Sequence, residues 1–342
     1  WAHHRRIGEA DVYFLANTDL DTGGKATVSL RGTGYLEEWD PVTGETHPLP
    51  SRQHEGITEV TLDFPPIDSH LLVLHRDRTP VTVPSPTEDV VAEIPLGDVW
   101  QLTSGGPNAL TLDTAQVRLD GEEEWSRPMH ILDAHAVVAQ AGTGTPFALR
   151  FTFDVAVCPA PPVYLVVESP ERFAITVNGQ SIPNSDVGWW TDIAFRKVEI
   201  GAAIRGGRNE IVLRGTFARD TELESVYLIG AFCVQGKRLK EENRCNGQVF
   251  DRYAPDFYLV EWPERVRASD SPGGLALDLT AQGFPFFAGR VTLHQTVQVP
   301  SVGGRAALEI HNLRAAVAHV AVNGRRVGTV AWPPHRVDLG AS

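Results

Sequence analysis

Between Gln180 and Arg196 the chain gathers Asn184, Asp186, Trp189, Trp190 and Asp192 within one short excursion. That mixture suits sugar recognition, because an indole face stacks on the C–H face of a pyranose while carboxylates and amides beside it take the hydroxyls. Neighbours on a strand point to opposite sides, so one of Trp189 and Trp190 is expected as an exposed platform and the other as core. The densest acids lie elsewhere, at Glu122, Glu123 and Glu124. Glycoside hydrolysis needs two carboxylates about 5 to 9.5 Å apart across a cleft, and adjacent side chains on an extended loop splay apart. The run therefore reads as a solvated loop. The histidines are scattered with no His-x-x-x-His spacing, and no Gly-x-Ser-x-Gly frames a nucleophile. His3 and His4 fall at a ragged end, and His319 alternates away from Val320 and Val322. Cys158, Cys233 and Cys245 fit no zinc spacing or disulfide framework and are expected as buried thiols.

The elements that must position this excursion are stated twice. Phe173-Ala174-Ile175-Thr176-Val177-Asn178-Gly179 leads into it and Arg196-Lys197-Val198-Glu199-Ile200-Gly201 leads out. About 145 residues later come Ala318-His319-Val320-Ala321-Val322-Asn323-Gly324 and His335-Arg336-Val337-Asp338-Leu339-Gly340. Each copy alternates apolar residues with a period of two, and Asn-Gly accepts positive φ, so each phrase is half a hairpin. The separation is too long for a solenoid and fits two copies of one β domain. The second loop, Arg325 to His335, is shorter and offers only Trp332 braced by Pro333 and Pro334, a composition built for packing.

With 342 residues, 31 glycines and 24 prolines between short Val/Ile/Leu/Phe runs, the chain reads as all-β with two or three domains. Helices are expected to be short and peripheral. A net charge of −13 argues against nucleic acid, and no run of 18 apolar residues or signal-peptide core is present, so no membrane span is expected. Residues 1–78 read as the C-terminal part of an antiparallel β-sandwich, with strands near 11–17, 25–30, 35–39, 58–62 and 69–74. So little chain precedes the first strand that an open edge results, and something is expected upstream. Residues 79–88, with Pro80, Pro84 and Pro86, read as a linker. The first full copy spans 89–235 and the second, incomplete, 236–342. Compartment is left open by the cysteines, because a large β domain in an oxidising space can do without disulfides; a secreted or periplasmic setting is favoured over a cytoplasmic one.

A strand ending in Val-Asn-Gly, a Trp-bearing loop, a Val-Glu-Ile strand and then Gly-Arg-Asn-Glu-Ile-Val-Leu resembles the galactose-binding-like jelly roll, in particular the sugar-binding domain of glycoside hydrolase family 2. Gly283-Phe284-Pro285-Phe286-Phe287-Ala288-Gly289 is similar to the segment before the first long strand of such domains. The order of pieces, with Tyr13-Phe14-Leu15-Ala16-Asn17 and Trp39-Asp40-Pro41-Val42-Thr43-Gly44-Glu45 ahead of the jelly rolls, resembles the C-terminal third of family 106 α-L-rhamnosidases. The resemblance implies a non-catalytic accessory region whose catalytic barrel, and catalytic carboxylates, lie upstream of Trp1 in the same polypeptide. Its partners would be that barrel and a plant or microbial polysaccharide or glycoside. It implies no cofactor except a structural calcium held by loop carboxylates and carbonyls, to which no residue is assigned. The alternatives are a free-standing carbohydrate-binding or adhesion module and, least favoured, a complete enzyme acting through Glu122 to Glu124. Any sugar site is expected on the first copy, at Asn184, Asp186, Trp189, Trp190 and Asp192.

Overall fold

The computed structural model describes residues 1–342 except 20, 21, 42, 81–89, 105, 246, 247, 272, 273, 300–303, 312, 314, 333, 334 and 342, and except the side chains at 104, 238–255, 270–276 and 341. Most of the expected linker and the Pro333-Pro334 brace therefore lie outside the described residues. The described chain is all-β with mainly antiparallel sheets and a single α-helix among the described residues. It divides into two compact units, 1–96 with 297–342, and 97–296.

In 1–96, alternation builds two facing sheets. One runs in the order Ala2–Ile7, Ala10–Ala16, Ser69–His75, Tyr35–Trp39, Thr46–Pro48; the other in the order Gly24–Arg31, Ile57–Phe64, Arg52–His54. Tyr13, Leu15, Leu36, Leu72 and Leu74 from the first meet Leu30, Val60 and Leu62 from the second. The Asp40 turn closes as its composition predicts: the Gly44 amide donates to the Asp40 carbonyl at 2.8 Å, with Gly44 at φ 75°. One expectation needs correction. His3 and His4 are not at a ragged end but in strand Ala2–Ile7, which occupies the edge of Ala10–Ala16 from Ala2↔Leu15 to Ile7↔Ala10. All six of its residues are exposed, so no apolar alternation marks it; only backbone pairing through a turn at Gly8 (φ 59°) creates it.

In 97–296 the outward and inward positions of two larger sheets alternate in the same way. The five-stranded sheet has the order Asn108–Leu112, Val226–Ala231, Ala160–Glu168, Asp192–Glu199, Asp186–Trp190. Opposite it lie Met129–His130, Thr114–Leu119, Pro146–Val155, Gly207–Thr216, Ala174–Val177 and Gln180–Ile182. Leu110, Leu165, Val198 and Leu228 from one face meet Leu149, Phe151, Ile175, Ile211 and Leu213 from the other in a single core. The helix, Ile131–Ala141, covers one end. Ile131, Ala134 and Val138 are its buried side, His130 Nδ1 accepts from the Leu132 amide, and Gly142 at φ 96° ends it.

The segment after 235 continues this unit. Strand Gln248–Val260 runs parallel to Pro146–Val155, and Val99–Ser104 is flanked by Arg265–Arg267 and Val291–His294. Buried Asn108 ties the two stretches together, donating through Nδ2 to the carbonyls of Phe232 (3.1 Å) and Gly283 (2.7 Å). Gly283 sits at φ 101° so close to Cys233 that an added Cβ would lie 2.7 Å from the Cys233 Cβ. The division expected at 235/236 runs through strand Cys233–Cys245. The remaining strands of the expected second copy, Arg305–Glu309 with Arg336–Ala341 and Ala318–Val322 with Arg325–Val330, belong to the other compact unit.

Candidate carbohydrate-binding site

The excursion after Asn178-Gly179 is not a loose loop. Gln180–Ile182 returns as a hairpin on Ala174–Val177, and Asp186–Trp190 pairs with Asp192–Glu199 as the last hairpin of the five-stranded sheet. Thr191, at φ 59°, forms its tip between Trp190 and Asp192, which are themselves partnered. The register slips between Asp186 and Trp189 and again between Trp189 and Trp190. Such bulges re-aim side chains at a sheet edge.

The two tryptophans separate accordingly. Trp190 turns onto the outer face of the sheet, its ring 5.4 Å from Tyr227, which also meets Phe195 at 5.6 Å, above Ala109, Val166 and Ile229. Trp189 stands opposite Arg196 and is 54% exposed. Beside it, Asp186 Oδ1 accepts the Gly188 amide at 2.7 Å, and Oδ2 accepts Arg196 Nε at 2.7 Å and Arg196 Nη2. The Arg196 hydrogen bond holds the Asp186 carboxyl below the usual carboxylate range. An exposed indole thus lies beside a fixed guanidinium–carboxylate pair, and together these offer a ring platform, donors and acceptors to a polyol.

The other expected residues do structural work. Asn184 donates to the carbonyls of Pro170 (3.0 Å) and Phe173 (3.1 Å), which pins the start of the excursion. Asp192 Oδ1 accepts the Ala194 amide at 2.8 Å and stabilises the tip. Burial first, then the charges of Glu222, Glu224 and Asp192, push the Glu168 carboxyl up. Arg196 was absent from the sequence-based set. The available signal was the alternation of Ala194, Arg196 and Val198 on one face, which places a cation beside any acid on the neighbouring strand.

Glu122, Glu123 and Glu124 are exposed, and Glu122 Oε2 accepts the Leu119 amide at 2.9 Å as a turn cap. His4 contacts Asp11 at 2.7 Å and stacks on Tyr13, while His319 Nδ1 lies 3.3 Å from Thr329 Oγ1 on an exposed face. No group of three or more His, Cys, Asp and Glu converges as metal ligands among the described residues. Cys233 is a buried thiol, pushed up to about 12 by burial, but Cys158 is exposed and corrects the expectation for that residue; the Cys245 side chain lies outside the description. Cys158 follows the end of strand Pro146–Val155, where chain leaves the sandwich and burial is no longer imposed.

No family model matches the chain, and no curated protein matches it. Among solved structures, a rhamnosidase from Novosphingobium sp. PP1Y is similar over 66% of this chain, at 18% identity and a TM-score of 0.25. The chain spans 23% of that structure's length.

Proposed function

We propose that this chain is a non-catalytic, carbohydrate-binding accessory region of a large glycoside hydrolase, with the order of its motifs favouring the α-L-rhamnosidase-like kind. The observation that carries the binding role is the exposed Trp189 indole beside the Asp186–Arg196 pair. In this reading the sheets of 97–296 form a galactose-binding-like jelly roll, and sugar rings stack on Trp189 while hydroxyls bond to the paired charges. The catalytic role is assigned to the same polypeptide upstream. That barrel-encoding sequence should be found ahead of Trp1; a start codon or signal peptide there would favour the free-standing module instead.

Titrating the full chain with rhamnose and galactose oligosaccharides under tryptophan fluorescence tests the site. A hot-spot aromatic contributes about 2 kcal/mol, so Trp189→Ala should weaken binding about thirtyfold and leave folding intact. Trp190→Ala should lower stability through the Tyr227 contact and leave affinity within about twofold in molecules that remain folded. Identical titrations for wild type and Trp189→Ala would leave the hairpin a purely structural role.

A further inference from the structure

The outward face of the opposite sheet carries chemistry that the Trp189 site does not use. Register places Arg118, Ala148, Arg214 and Ala174 in one row across four strands. In a chain of net charge −13, the outward positions of Thr114–Leu119, Pro146–Val155 and Gly207–Thr216 hold four arginines and two carboxylates. Both carboxylates are matched, Glu210 with Arg150 at 3.5 Å and Asp154 with Arg208 at 2.7 Å. Arg118 and Arg214 have no carboxylate partner among the described residues.

Among the described residues Arg214 reaches only Thr176 Oγ1, at 3.5 Å, and it opens with Arg172, Gly215 and Thr216 on a depression of about 490 Å³. Arg172 is already held by Asp220 at 3.1 and 2.7 Å, so Arg214 supplies the unmatched charge. Farther along the face, the Trp125 ring lies 4.7 Å from the Arg118 guanidinium and 4.5 Å from that of Arg150, and Gln116 fixes Arg150 through bonds of 3.0 and 2.7 Å. The acidic run Glu122 to Glu124 adjoins Trp125, which places the best anion seat at Arg214 and not at Arg118.

We propose that this face binds a carboxylate-bearing polysaccharide, with a uronate carboxyl on Arg214. A guanidinium fork matches a carboxylate in two parallel hydrogen bonds, and the Thr176 and Thr216 hydroxyls beside it pair with sugar hydroxyls. Trp125 lies along the same face as a stacking surface for a further ring. The overall negative charge disfavours a dense polyphosphate, whereas a uronan presents one carboxylate per sugar to a local cationic seat. The proposal shares its ligand class with the Trp189 reading and none of its residues.

The test is calorimetric titration of the full chain with oligogalacturonate and oligomannuronate at low salt, with their methyl esters as uncharged controls. Binding should appear for at least one acid form, weaken as salt is raised, and be lost for its ester. Arg214→Ala should weaken it at least tenfold and Arg214→Lys by less, with unchanged circular dichroism, since Arg214 is exposed. Trp189→Ala should leave uronate binding as it is, so failure here and failure of the neutral-sugar site are read separately. No uronate binding by wild type, equal binding of the methyl ester, equal affinity of Arg214→Ala, or equally tight binding of polyglutamate would each overturn the proposal.

Discussion

The two Asn-Gly hairpins have the same turn and different surroundings. Asn178 and Asn323 both sit at φ 51°, Gly179 and Gly324 both at φ 79°, and Val177↔Gln180 is matched by Val322↔Arg325. The flanking pairs correspond as well: Leu165↔Val198 in one region, Leu308↔Val337 in the other. Yet Phe173, Ile175 and Val177 are buried, whereas Ala318 and Val320 are half-exposed and Val322 is 38% exposed. The first hairpin has strand Gly207–Thr216 beside it, and no described strand pairs with Ala318–Val322 other than Arg325–Val330. Local sequence sets the turn; the neighbouring strand decides whether the alternating face becomes core.

The largest effect that can break this comparison is core truncation. Ile175→Ala should cost about 3 kcal/mol, and the equivalent Val320→Ala less than about 1 kcal/mol, in denaturant unfolding of the full chain. Equal costs would show that the second hairpin is as well packed as the first. Next is the response to acid, because the described buried carboxylates, Asp11, Glu37 and Asp68, all lie in 1–96. Burial works to raise Asp11 and Glu37, but Arg76 and His4 at the first, and Trp39 and His75 at the second, hold both below the usual range. Depressed values mean stability that is present above the ordinary carboxylate pKa and lost as pH falls through the folded one. Asp68, pushed up by burial, acts in the opposite sense, as does Glu168 in 97–296. Asp186 and Asp220 in 97–296 are also held low, by Arg196 and Arg172, but these pairs are solvent-exposed and contribute little. Acid from about pH 7 to about pH 3 should therefore weaken 1–96 more than 97–296. Circular dichroism follows the whole chain, and an acid-active disulfide reagent on Cys233, with Cys158 and Cys245 replaced by Ser, reports opening of 97–296 alone. Cys233 labelling that begins with the first loss of circular dichroism would reverse the ranking.

The smallest effect separates the turns themselves. The Asn178 side chain donates to the Ala203 carbonyl and Asn209 Oδ1, both at 2.8 Å, and accepts the Glu210 amide at 3.0 Å; the Asn323 side chain has no hydrogen-bond partner among the described residues. Asn178→Gly should cost about 1 kcal/mol through these bonds, and Asn323→Gly close to nothing, since both glycines tolerate the left-handed turn. Matching values in thermal unfolding would remove the distinction.

What the sequence made legible is what neighbours along the chain determine. The strands Tyr35–Trp39 and Ala318–Val322, the Asp40 turn and both Asn-Gly hairpins follow from alternation and turn chemistry. The helix Ile131–Ala141 did not stand out, because three small or branched residues spaced 131, 134 and 138 give only a faint stripe. Strand Ala2–Ile7 carries no apolar signal at all. At the candidate site, composition singled out Trp189 and Trp190, but two register slips decide which faces water, and a slip depends on the partner strand. The pairing of Gln248–Val260 with Pro146–Val155 spans about a hundred residues and has no local mark.

The contact of Gly283 with Cys233 and Asn108 also says where this protein can be cut. A fragment ended at 235 would strip away the Gly283 carbonyl, leaving the Asn108 amide with Phe232 as its remaining acceptor in an apolar setting. It would also lay bare Cys233, which is buried in one cluster with Val266 and Phe284 of the later segment. Such a piece is expected to be sticky and short-lived, whatever its sugar affinity. Anyone excising the unit that begins at 97 should carry the chain through 296, where the last strand of its small satellite sheet has closed.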